Sequence, residues 1–113
     1  MDLNEALRLF SGIRQIDPEM PLQQAHCFLL IAEADEGLSL SDLAKKAGIG
    51  LATASRYVGA LGKINRHREA GLQIIESFED PMERRKKIIR LTSKGKLALK
   101  QALGEMNANL SER

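Results

Sequence analysis

The stretch from Leu38 to Leu61 constrains this chain most. Leu38-Ser39-Leu40 reads as a short extended piece, and Ser41 is placed to cap a helix running through Asp42-Leu43-Ala44-Lys45-Lys46-Ala47. Gly48-Ile49-Gly50 makes a tight turn, with Gly48 suited to a left-handed helix end. A second short helix follows from Leu51 to Leu61, with Ala54, Val58 and Leu61 on one side. Two short helices around a glycine turn, the second rich in small residues, form a helix-turn-helix pattern. Leu43, Ala44, Ile49, Ala54 and Val58 are its expected internal packing positions.

The flanking segments fill in the rest. Asp2 is a good N-cap for a helix to about Arg14, with Leu3, Ala6, Leu7, Phe10 and Ile13 at helical spacing. Asp17-Pro18 breaks it, and Pro21 is expected as the first residue of the next helix. From Leu22 to about Ala34 the apolar run through Phe28, Leu29, Leu30 and Ile31 predicts a core helix buried nearly all round, stopped at Gly37. After the helix-turn-helix, residues 62–73 are polar and basic and read as a connection. Ile74–Phe78 and Lys86–Leu91 are strand candidates around the turn-forming Glu79-Asp80-Pro81-Met82-Glu83-Arg84-Arg85. Thr92 then caps a long helix with Leu99, Leu103, Met106 and Leu110 on one stripe.

Length and composition bound the alternatives. A chain of 113 residues, 43% hydrophobic and 28% charged, is expected to form one globular domain over 1–113. No apolar run reaches the roughly 20 residues of a membrane span, and the acidic start Met1-Asp2-Leu3-Asn4-Glu5 is unlike a secretory signal. A single cysteine, Cys27, excludes an internal disulfide, and a cytoplasmic location is expected.

The net charge of +2 hides a strong asymmetry. Residues 1–50 carry four Lys/Arg against eight carboxylates (−4), whereas residues 51–100 carry twelve against five (+7). A basic block on a near-neutral chain fits a surface that meets a polyanion.

The order of elements resembles the MarR family of winged-helix transcription regulators over most of the chain. The likeness is carried by Leu40-Ser41-Asp42-Leu43-Ala44, Gly48-Ile49, Thr53-Ala54-Ser55-Arg56-Tyr57-Val58 and Leu61, and by a wing, Asp80-Pro81-Met82-Glu83-Arg84-Arg85-Lys86-Lys87, followed by Leu91-Thr92-Ser93-Lys94-Gly95. It implies a mainly α fold with a small β-hairpin wing and a homodimeric repressor of double-stranded DNA. It also implies a small-molecule effector, a phenolic or other aromatic compound bound between the dimerisation and DNA-binding lobes, against which stand a reduced lobe and an aromatic content of only 4%. Three features depart from the family pattern. Glu83 stands where Asp is usual before the wing arginine. The linker from Leu61 to Gly71 is longer and carries Lys63, Arg66, His67 and Arg68. The dimerisation lobe is reduced, as in compact proteins of phages and mobile elements.

The residue types fit that chemistry. A recognition helix needs small or hydrogen-bonding side chains so that its backbone can approach base edges. Ala52, Thr53, Ser55 and Arg56 supply them, and Tyr57 either braces a phosphate or packs. Arg56 can hydrogen-bond a guanine edge or clamp a phosphate. Arg84 or Arg85 is placed to enter a narrow minor groove. Lys86, Lys87 and Arg90 fit phosphate contacts, as does Lys94, with Lys63, Arg66 and Arg68 as further candidates. Leu3, Leu7, Phe10 and Ile13, with Leu99, Leu103, Met106 and Leu110, are expected to form a dimer interface, setting two recognition helices about 34 Å apart on a pseudo-palindrome. The same apolar helices fit an alternative, a winged helix that binds another protein. Cys27 lies mid-helix among apolar residues, where a thiol is usually inert. No cofactor is implied, His26 and His67 lack partners at metal spacing, and no nucleophile–base pair points to an enzyme.

Overall fold

The computed structural model describes residues 1–63, 70–83 and 86–104. Helix α1 (Leu3–Ile16) starts at a reciprocal cap. The Asp2 carboxylate accepts the Glu5 N–H at 2.8 Å, and the Glu5 carboxylate accepts the Asp2 N–H at 3.3 Å. The helix runs to the residue before Asp17, slightly further than the apolar pattern alone predicts.

Helix α2 (Leu22–Glu33) follows, and here two expectations change. Pro21 is the cap rather than the first helical residue: its ψ of 147° is extended, while its carbonyl accepts the Ala25 N–H at 3.0 Å. The helix is also buried on one face only. Gln24, Ala25, Cys27, Phe28 and Ile31 are buried, but Leu22, Gln23 and His26 are exposed, because the first two turns bring polar residues into the apolar run.

Strand β1 (Leu38–Ser39) leads directly into helix α3 (Leu40–Ala47). Ser39, not Ser41, is the N-cap, its Oγ accepting the Asp42 N–H at 3.1 Å. Pairing of Ser39 with Ile88 holds residue 39 extended, so the helix begins at the next residue. Gly48 ends α3 with φ 68° and ψ 35°, a left-handed conformation that costs glycine least. Helix α4 (Leu51–Leu61) starts after Gly50.

Strands β2 (Ile75–Glu79) and β3 (Lys87–Leu91) form an antiparallel hairpin, and β1 joins the far side of β3, giving the order β1-β3-β2. The wing is therefore part of a three-stranded sheet, with Leu38 and Ser77 flanking Ile89. Helix α5 (Ser93–Leu103) is capped by Thr92, whose Oγ1 accepts the Gly95 N–H at 3.0 Å.

Phe28, Ile31, Leu43, Leu61, Ile74 and Ile89, with Cys27, are essentially inaccessible to solvent and join α2, α3, α4 and the sheet into one core. Burying side chains of this kind stabilises a fold by roughly 1.5–3 kcal/mol each. At the other end, α1 and α5 meet at Gly12 and Ala102, so closely that a Cβ on Gly12 would lie 2.3 Å from the Ala102 Cα. Among the described residues, no buried polar side-chain atom lacks a hydrogen-bond partner, and no helix is long and apolar enough to cross a membrane.

Candidate nucleic-acid interface

Helix α4 is positioned at both ends. At its start, Ile49 packs against the core and Ala54 is fully buried, which turns the opposite face outward. At its end, the carbonyls that a helix leaves unpaired are met by one short segment. The N–H groups of Leu72, Ile74 and Gln73 donate to the carbonyls of Ala60, Leu61 and Gly62, each at 2.9 Å, and Gly71 donates to Lys63 at 2.9 Å. That segment is fastened in turn to α5. Thr92 donates its N–H to the Ile74 carbonyl at 3.1 Å and its hydroxyl to the Gln73 carbonyl at 2.8 Å. Gly95 sits so close that a Cβ there would lie 1.9 Å from the Ile74 oxygen. Gln73 adopts φ 60° to make the turn, an unusual conformation for a residue with a side chain. Ile75 then begins β2, so the end of α4 and the base of the wing are joined through backbone hydrogen bonds.

This seam explains why the first strand begins at Ile75 rather than Ile74. Ile74 keeps one ladder bond, its carbonyl accepting from its register partner Thr92, but its N–H goes to the Leu61 carbonyl instead of back to Thr92. The second strand starts at Lys87 rather than Lys86 for a similar reason. Lys86 donates to the Glu83 carbonyl and accepts from Asp80, both at 2.9 Å, which closes the wing-tip turn. The Asp80 carboxylate also accepts the Met82 N–H at 2.9 Å.

The predicted recognition residues separate into three groups. Ala52, Ser55 and Arg56 are exposed and share the outer face of α4. Thr53 is half-buried. Tyr57 is half-buried against the core, and its hydroxyl donates to the Gln23 Oε1 at 2.9 Å, tying α4 to the start of α2. Of its two expected roles, packing is the one this geometry displays.

The basic candidates also differ among themselves. Lys63, Lys86, Lys87 and Lys94 are exposed. Arg90, expected as a phosphate contact, is engaged within the protein: its Nε donates to the Glu76 carboxylate at 2.9 Å, and its guanidinium stacks 4.2 Å from the centre of the Phe78 ring. Cross-strand pairing of Glu76 with Arg90 explains this. Arg66, Arg68, Arg84 and Arg85 lie outside the described residues, as does His67. Lys45 and Lys46, exposed at the end of α3 beside the turn, were hidden in sequence by the acidic balance of the first fifty residues.

The outer helices sort similarly. Leu3, Leu7 and Phe10 are 76%, 57% and 51% exposed and form a stripe along α1; Leu103 on α5 is exposed as well. Ile13 is buried and Leu99 is half-buried against the core, so these two serve the protein's own packing rather than the outer stripe. Leu97, not singled out by the helical pattern, is exposed beside them in sequence on α5. Met106 and Leu110 lie outside the described residues.

The other candidates carry little chemistry. Cys27 is fully buried, and desolvation raises its thiol pKa, which disfavours the reactive thiolate. Among the described residues no three metal-ligating side chains converge. An open cleft of about 840 Å³ lies between the end of α2, the outer face of the hairpin and α5, walled by Asp35, Glu36, Glu76, Arg90, Lys96 and Lys100 among others.

The IclR helix-turn-helix domain matches residues 28–63, from the middle of α2 through the end of α4. No curated protein sequence matches the chain. Among solved structures, the chain is similar to RV1404 from Mycobacterium tuberculosis, with a TM-score of 0.71 at 19% identity over 95% of this chain and 67% of that one. It is similar to S. aureus MepR in a DNA complex, with a TM-score of 0.67 at 21% identity over 95% of this chain and 86% of that one. YusO from Bacillus subtilis gives 0.63 at 12% identity over 96% and 70%. The chain has the winged helix-turn-helix fold of transcription regulators.

Proposed function

We propose that this protein is a sequence-specific double-stranded-DNA-binding transcription regulator, a MarR-like homodimer that represses by occupying its operator. The observation that carries the reading is the outer face of α4. Ala52, Ser55 and Arg56 stand exposed together on a helix whose end is hydrogen-bonded to the base of the wing, and the wing carries the exposed Lys86 and Lys87. Small side chains permit close approach to base edges, and Arg56 supplies a directed pair of donors. Lys45, Lys46, Lys63, Lys86, Lys87 and Lys94 supply phosphate contacts, whose number sets the salt dependence of binding.

The dimer is supported by the stripe of Leu3, Leu7 and Phe10, more apolar surface than one helix normally leaves in water. Two copies joined along α1 and α5 present two recognition helices to a pseudo-palindromic site with half-sites about 34 Å apart. A small-molecule effector fits this scheme, and the charged walls of the cleft beside Arg90 favour a polar compound.

The test is a mobility-shift assay with genomic fragments at moderate salt. A preferred fragment is expected, and no preference over random duplex overturns the reading. Arg56→Ala is expected to weaken binding by about 1–3 kcal/mol and relax preference at one position if Arg56 reads a base. A loss uniform across sequences assigns it to phosphate. The exposed apolar stripe also suits a partner protein. Salt-insensitive capture of one defined protein, with negligible DNA binding, would favour that second reading.

A further inference from the structure

The residue at the very start of α4 stands outside the core packing. Leu51 is 56% exposed, while the inward apolar contact at this end of the helix is already made by Ile49. A singly exposed leucine is ordinarily unremarkable in a protein surface. Its place gives this one meaning.

Leu51 sits in a nine-residue stretch, Ala47 to Ser55, that contains no charged side chain. Cations bracket that stretch: Lys45 and Lys46 on one side and Arg56 on the other, all exposed. The turn before it is open, since nothing beyond the adjoining backbone lies within 4 Å of the position a Cβ would take on Gly48 or Gly50. The leading edge of α4 is thus apolar, uncrowded and flanked by positive charge. A major groove has the complementary arrangement, a floor of base edges between two lines of phosphates. The apolar feature of that floor is the C5 methyl group of thymine.

We propose that Leu51 is a specificity-determining residue that recognises thymine through its C5 methyl group, once in each half-site. The assignment rests on the duplex-binding reading above. It adds a base preference that comes from burying a methyl group, where Arg56 and Ser55 work by hydrogen bonds. Leu51 makes no demand on the strand polarity of donors and acceptors, so it separates thymine from cytosine and uracil, not from a particular pairing pattern.

The experiment uses a duplex selected by the full-length protein from a random library. Each thymine is then replaced in turn by deoxyuridine, which deletes the methyl group and leaves base pairing intact. The expected result is one position per half-site at which the replacement weakens binding about fourfold, the factor for one buried methyl-sized group. At that position Leu51→Ala is indifferent to the replacement, whereas Leu51→Met, which keeps an apolar tip, retains discrimination. The proposal is overturned if no thymine methyl group matters to the unaltered protein, or if Leu51→Ala pays the same penalty at the same position. A selected duplex that binds tightly alongside either of those results leaves the duplex-binding reading standing and removes only Leu51 from it. Failure to select any duplex overturns both.

Discussion

Two helix pairs in this molecule are built on opposite plans. In α3 and α4 the large apolar side chains, Leu51 apart, point inward, where Leu43, Ala54 and Leu61 are fully buried, and the rest of the outer face is left to small, polar and cationic groups. In α1 and α5 the contact between the helices is made by small residues, Gly12 on Ala102, and much of the bulk is outside, as Leu3, Leu7, Phe10, Leu97 and Leu103. The first plan makes a finished surface, stable in water and shaped for a charged ligand. The second leaves an unfinished one, which a second apolar surface would complete. The difference shows that the same helical geometry can close a core or open an interface, depending on which side carries the large side chains.

The sharpest way to break the first pair is at its seam with α5. Gly95→Ala drives a Cβ into the Ile74 backbone, which has no flexible end to move aside. A loss of about 3 kcal/mol in folding stability is expected, at the upper end for overpacking, and urea titration measures it. The second pair should respond differently. Phe10→Asp removes an exposed apolar side chain, so the folded protomer is expected to change by no more than about 0.5 kcal/mol. Self-association is expected to weaken by about 2 kcal/mol or more, since the interface would have to bury a charge in place of a ring. Sedimentation velocity across a concentration series reads this; unchanged association would mean that the stripe has another use.

The smallest effect sharpens the picture of the seam itself. Gln73 holds φ 60°, which a glycine adopts without the steric penalty of a Cβ. Gln73→Gly is expected to stabilise the fold by up to about 1 kcal/mol, the relief at φ > 0 partly offset by a more flexible unfolded chain. A destabilised variant in the same urea titration would show that the turn is unstrained.

Much of this was legible in the sequence because the relevant signals are local. Asp2 with Glu5, Gly48, and Thr92 with Gly95 each announce a helix end within a few residues. Displaced boundaries have long-range causes. Ser41 looks as good a cap as Ser39 until β1 pairs with β3, and Ile74 looks like strand until its N–H is taken by the end of α4. The site follows the same division. The small-residue face of α4 follows from helical spacing, but spacing alone does not reveal that Arg90 is engaged by Glu76 and Phe78, or that Tyr57 reaches Gln23. Ile13 and Leu99 continue the apolar periodicity of their helices, and only the packing shows that they lie inward.

The hydrogen bond between Gly71 and Lys63 has an evolutionary consequence. Because the chain departs and re-enters the framework at neighbouring points, whatever connects them can lengthen, shorten or change composition without shifting the recognition helix or the hairpin. The entropic cost of a longer excursion grows only logarithmically, about 0.6 kcal/mol per doubling. Insertions as small as a codon can therefore accumulate between Lys63 and Gly71 while α4 and the hairpin keep their mutual register.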